Sequence, residues 1–230
     1  MKFEKLPPED LLGPLNEVEC KNAPKFLYAA GDVDLCKKFP RVSIIGTRQV
    51  SDEGKKRARS LAKILVEKGI VVVSGLARGV DACAHQAAID FKGKTIAVLG
   101  TPLDQFYPRE NAALQKEIMA RHLAISQFPA GFPIARGNFA IRNRTMALLS
   151  HATVIIEAGD GSGTIHQGWE ALRLGRPLFL LESIIKRTEL KWPQKMQNYG
   201  AQILRRENMD VLFEFLPQGN LDVETTALPF

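Results

Sequence analysis

Cysteine is scarce and odd in number: Cys20, Cys36 and Cys83 are scattered through 230 residues. No two have CxxC spacing, and no histidine stands where it would complete a zinc site, so neither a disulfide framework nor a metal is expected. Reduced thiols in the cytoplasm are the simpler expectation. No stretch approaches the roughly 20 apolar residues that span a bilayer, and the opening MKFEKLPPEDLL lacks the apolar run of a signal peptide. Two phosphate-loop signatures are also missing. Neither GxGxxG nor GxxxxGK[ST] occurs, which removes the main support for a bound dinucleotide or for ATP hydrolysis. No Ser/His/Asp or Cys/His set stands out: His85 shares a helical pattern with Cys83, and His122 and His151 border strand patterns where packing accounts for them. A binding protein without cofactor is expected rather than an enzyme.

What is present is a modest excess of positive charge, 31 Lys and Arg against 25 Asp and Glu. That balance suits a polyanionic partner, but position decides more than the total. Residues 1–40 are interrupted by Pro7, Pro8, Pro14, Pro24 and Pro40 and read as an extension packing on the core, with one short strand at Phe26–Tyr28. From Val42 a rhythm sets in. Apolar strand patterns at Val42–Gly46, Ile70–Val73, Thr95–Leu99, Leu123–Ser126, Thr153–Ile156 and Pro177–Leu181 alternate with helical ones. The helices are expected near Ala58–Leu65, Val80–Ile89, Asn111–Arg121, Phe139–Ser150 and Thr164–Leu174. Continuous apolar strands separated by helices predict an α/β fold: a Rossmann-like, doubly wound, mostly parallel sheet with helices on both faces. It would occupy residues 41–216, with 217–230 a loosely ordered tail. The stretch that includes Trp192 and Tyr199 is open between completing the sheet and forming an interface.

In such sheets ligands bind beyond the carboxyl ends of the strands, and the unusual residues fall in those loops. Gly46, Thr47 and Arg48 follow the first core strand; Ser74, Gly75, Arg78 and Gly79 follow the second. Arg109 belongs to the third loop. Arg136, Asn138, Phe139, Arg142, Asn143 and Arg144 surround a helix start, and Ser162, Gly163 and Thr164 open the next helix. Glycines let a backbone approach a ligand, helix N-termini aim N–H groups at anions, and arginine supplies a fixed fork of donors for phosphate. A single turn glycine or loop arginine has an equally good structural account. The set on one edge favours a phosphate-binding rim.

These loops are also where a resemblance becomes specific. VSIIGTR (42–48), SGLARGVDACAH (74–85), TIAVLG (95–100) with Tyr107-Pro108 and Glu110-Asn111, Phe139 with Arg142-Asn143-Arg144, and Ser162-Gly163-Thr164 occur in the order of the DNA-processing protein A (DprA/Smf) family. The chain resembles that family over roughly residues 24–182. The resemblance implies a Rossmann-like core binding single-stranded DNA, Arg48 and Arg78 at the DNA phosphates, and a basic contact at Arg136. It further implies homodimers and the loading of a RecA-type recombinase in recombination and DNA uptake; a mobile-element or defence setting is the other one weighed. Many members add an N-terminal helical domain and a C-terminal winged-helix-like domain, which the residues before Val42 and after Leu181 do not spell, so a minimal member is expected. The alternative is a nucleotide sensor or a LOG-type nucleoside monophosphate hydrolase, suggested by Gly161–Thr164. The glutamate such a hydrolase needs soon after the threonine is displaced to Glu170.

Overall fold

A computed structural model of the chain describes residues 3–217. Among these residues nine strands form one sheet: β1 (Glu4–Leu6), β2 (Leu27–Gly31), β3 (Arg41–Gly46), β4 (Val71–Ser74), β5 (Thr95–Leu99), β6 (Leu123–Ser126), β7 (Ala152–Glu157), β8 (Leu178–Leu181) and β9 (Gln202–Leu204). Their order is β1-β2-β6-β5-β4-β3-β7-β8-β9. The run from β6 to β9 is parallel, while β2 lies antiparallel to β6 and β1 antiparallel to β2. The chain steps outward from β3 through β4, β5 and β6, then returns to β7 on the other side of β3. The β3–β7 junction is therefore the topological switch point, beside which a doubly wound sheet leaves its crevice.

Side chains alternate across this sheet with period two, so each strand feeds two cores. Val42, Ile44, Val72, Val154 and Phe179 meet the helices Asp52–Glu67 and Val80–Asp90 on one face. On the same face, farther along, Ala97, Leu99 and Ala124 meet Ile118 and Met119 of the helix Ala112–Arg121. Ile45, Val71, Val73, Ile96, Ile155 and Leu180 point to the opposite face, covered by the helices Arg136–Leu149 and Gly163–Arg173. The first of these helices shows how local chemistry fixes an element. The Ser51 hydroxyl accepts from the Gly54 amide at 3.0 Å as the N-cap, Asp52 and Glu53 complement the dipole, and Ala58, Leu61, Ala62 and Leu65 form the buried stripe.

The expected fold class is what the chain adopts, with differences at its margins. The N-terminal segment contributes two strands rather than one, and Leu11, Leu27, Leu35 and Cys36 lie in the same core as Ile96 and Leu123. After Leu181 the sheet gains β9, and Trp192 and Met196 are buried, whereas Tyr199 stands on the surface with its ring edge-on to Trp169 at 5.3 Å. The helix expected from Phe139 begins at Arg136, three residues after Pro133, and takes Gly137 into its first turn. Residues 218–230 of the expected tail lie outside the described part. Among the described residues no helix is long and apolar enough to cross a membrane, and no three His, Cys, Asp or Glu side chains converge as a metal site.

Candidate nucleic-acid interface

The carboxyl ends of β3, β4, β5 and β7 bring the predicted loops together through direct contacts. The Thr47 amide donates to the Glu157 carbonyl at 2.7 Å, tying the loop after β3 to the end of β7. The Val80 amide donates to the Thr47 carbonyl at 3.2 Å, tying the same loop to the one after β4. Gly79 makes that closeness possible. It holds φ at 75°, and a Cβ there would come within 2.7 Å of the Arg48 carbonyl oxygen and nearer still to that of Thr47. Backbones of the first two loops thus lie against each other, with Arg48 and Arg78 carried on adjacent turns.

The third contributor is the helix Arg136–Leu149. Its Phe139 ring packs on the bare backbone of Gly100, where a Cβ would meet Cδ1 at 2.6 Å. The Arg48 guanidinium lies over this ring, 5.8 Å from its centroid, and Tyr107 approaches from the third loop with ring centroids 5.6 Å apart. Arg136 lies one turn before Phe139 on the same helix and so shares its face. This helix start has no side-chain cap and no acidic residue in its first turn; the Asn138 amide donates to the Ala135 carbonyl at 3.1 Å, and the Arg136 and Gly137 amides with the positive dipole end are left for an anion. Tyr107 (44% exposed), Phe132 (38%) and Ile134 (44%) add apolar surface beside it.

The predicted residues divide by how the structure uses them. Arg48, Arg78, Arg136 and Gly163 are exposed; Gly46, Thr47, Gly79, Phe139 and Ser162 are half-buried on the same edge. Arg48 and Arg136 have no hydrogen-bond or ion-pair partner among the described residues. Arg78 is paired with Glu110, its Nη2 donating to Oε2 at 2.9 Å, in a solvent-exposed contact.

Others expected on the rim are spent internally. Ser74 is buried and its hydroxyl donates to the Ile44 carbonyl at 2.7 Å; Gly75 is buried as well. Asn138 donates to the Pro133 carbonyl at 3.0 Å, and Asn143 to the Gly163 carbonyl at 3.2 Å, both from buried positions. Arg144 turns to Glu170 on the neighbouring helix, Nε to Oε2 at 3.3 Å. Thr164 is buried, and Ser162 caps its helix by accepting from the Thr164 amide at 3.2 Å.

Arg142 departs furthest from expectation. It is 6% exposed and donates to the Val98 carbonyl at 2.9 Å instead of standing in solvent. Burial lowers its pKa below the ordinary arginine value; buried Asp81 opposes this and Arg48 adds to it. The Asp81 carboxyl is itself raised by burial, against the pull of Arg142 and the Ala77 amide. Phe132 is the contributor that the sequence patterns do not single out, and Tyr107 enters there only as part of the Tyr107-Pro108 motif. An aromatic residue in a loop following a strand end was the available signal.

The family model for DNA recombination-mediator protein A matches residues 8–217. The chain belongs to this family. It is 37% identical to protein Smf of Synechocystis over 206 residues, which cover 88% of this chain and 52% of that one. It is 36% identical to DNA processing protein DprA of Streptococcus pneumoniae over 219 residues, 93% and 76% of the two chains. The chain therefore spans about half the length of the first relative and three quarters of the second. Among solved structures, DNA processing protein A from Helicobacter pylori, whose single-stranded DNA binding mode that structure describes, superposes with a TM-score of 0.79. It is 29% identical, and the match covers 93% of this chain and 96% of that one.

Proposed function

We propose that this chain binds single-stranded DNA as the Rossmann-like core of a DNA-processing protein, and that its role is binding rather than chemistry. The observation that carries the reading is the continuous set Arg78–Arg48–Phe139–Tyr107 with Arg136 at an uncapped helix start. Phosphates would track Arg48, Arg78, Arg136 and the helix amides, and bases would lie against Phe139 and Tyr107, the combination of cationic groove and stacking rings that suits single strands. The sequence relatives named as DNA processing proteins, and the Helicobacter pylori structure, support the same ligand. A hydrolase reading has less to work with: Glu170 is held between Arg144 and Arg173. Recombination or DNA uptake as the setting, homodimerisation, and a RecA-type recombinase as partner are carried over from the family.

Oligonucleotide affinity measured across a salt series tests the reading. Log affinity is expected to fall linearly with log salt. Arg48→Ala and Arg136→Ala are each expected to reduce the slope by about 0.7, the share of one single-strand phosphate. Flat salt dependence, or mononucleotide binding without oligonucleotide binding, would overturn it.

A further inference from the structure

Arg142 has no place in a rim made only of surface groups. Its Nε is buried without a hydrogen-bond partner, and among the described residues no carboxylate lies within ion-pair distance of its guanidinium. It lies against the loop that carries Arg78. A Cβ on Gly75 would stand 2.7 Å from Nη2 and closer to Nη1, so the absent side chain at position 75 is the space the guanidinium fills. Asp81 holds the same loop by accepting from the Ala77 amide at 3.3 Å. Arg48, on the rim, is near enough for its charge to act on Arg142.

The buried Asp81 carboxyl acts on this cation from beyond ion-pair distance and is itself raised by burial, so the compensation is partial, and a buried cation compensated only in part is costly to keep. Its field, however, reaches the surface above it with little screening by solvent. We propose that Arg142 is a positioning residue beneath the phosphate rim: it shapes the Ser74–Arg78 loop from below, and its charge is balanced when a DNA phosphate seats over that loop. The inference rests on the DNA-binding reading of the rim and adds a buried second layer to it. Free protein bears the cost of the buried charge, and the DNA complex recovers it. Gly75 and Arg142 form one device, which links the glycine of the SGLARG segment to an arginine 67 positions later in the chain.

Replacing the charge while keeping the bulk separates the two states. Arg142→Met is expected to melt within about 5 °C of the parent without DNA, yet to bind an oligonucleotide about tenfold more weakly. Arg142→Lys, which restores charge but not the fork, is expected to recover part of that loss. Gly75→Ala pushes the guanidinium aside and should weaken binding with Arg142 present, but add little in the Arg142→Met background. A purely structural arginine gives another pattern: a large fall in melting temperature for Arg142→Met, affinity falling only in proportion, and no rescue by lysine. Parent-like binding by Arg142→Met, or additive losses in the double variant, overturns the inference while leaving the rim intact. Salt-independent binding by the parent overturns the rim reading itself. Should Arg142→Met fail to fold, Gly75→Ala and Arg142→Lys decide alone.

Discussion

Two arginines seven positions apart meet opposite fates at the two ends of β3. Arg41, at its start, is 4% exposed and spends its donors on the protein. Nε donates to the Leu149 carbonyl at 2.6 Å, Nη1 to those of Cys36 and Phe39, and Nη2 lies 3.2 Å from His151 Nε2. Leu149 and Cys36 belong to helix ends, where carbonyl dipoles favour a cation. Arg48, just past the other end, is exposed, and among the described residues its guanidinium meets the Phe139 ring alone. One guanidinium is a structural tie; the other leaves its fork unspent. The difference teaches that count and type of residue do not separate a structural cation from one still available to a ligand, whereas spent or unspent donors do.

The largest effect that could break this contrast comes from removing each charge in turn. Arg41→Met would take the guanidinium from the Leu149, Cys36 and Phe39 carbonyls and from His151 Nε2, and is expected to cost about 3 kcal/mol or more in denaturant unfolding. Arg48→Met is expected to stay within about 0.5 kcal/mol of the parent. Equal costs would show that Arg48 is also a structural tie.

Protonation sharpens the same contrast between interior and rim. Burial depresses His85 to about 3 and His151 to about 2. In the unfolded chain both rings take up protons near 6.5. The unfolded state therefore binds protons that the native state refuses. The stabilising contribution is whole above about pH 6.5 and is lost as pH falls toward the folded values, by about 1.4 kcal/mol per unit for each ring. Between pH 6.5 and 4.5 these two rings are expected to contribute a slope approaching about 3 kcal/mol per unit, with His122, also lowered by burial, adding in the same direction, and His151→Asn is expected to remove about half of the two-ring share. Over the upper part of that range, while the protein stays folded, the salt slope of DNA binding should not move, because arginines do not titrate there. A slope that changed in step with stability would join the two regions this comparison separates.

The sequence carried the alternation of apolar strands and helices, and hence the strand ends at which the rim lies. What it hid were elements too short for periodicity, β1 and β9 with three residues each, which exist because a longer neighbour offers a pairing edge. It also misled on the Arg142–Arg144 triplet, where identity suggested phosphate. Phase held the answer. Arg142 is in register with Asn138, Thr145, Met146 and Leu149, the buried stripe of its helix, while Arg144 is turned outward. Burial of a cation is set by what stands opposite it, here the bare backbone of Gly75, and no local pattern contains that information.

The smallest expected effect bears on Arg78, which sits between the two kinds of arginine because it is exposed but paired. Its fork faces Glu110 with 64% of the arginine side chain and 44% of the glutamate in solvent. A pair so exposed contributes at most about 1 kcal/mol, so a phosphate can displace the carboxylate, but at the expense of that contact and of its repulsion. Glu110→Gln removes the charge and keeps an acceptor of similar shape. Stability is expected to hold within about 0.5 kcal/mol, while oligonucleotide affinity rises up to roughly fivefold, the equivalent of that contact. The gain should vanish when Arg78→Ala is added, because the carboxylate acts only through the arginine it occupies. Unchanged affinity in Glu110→Gln would place Arg78 with Arg41 as a tie between loops and confine the ligand-facing cations to Arg48 and Arg136.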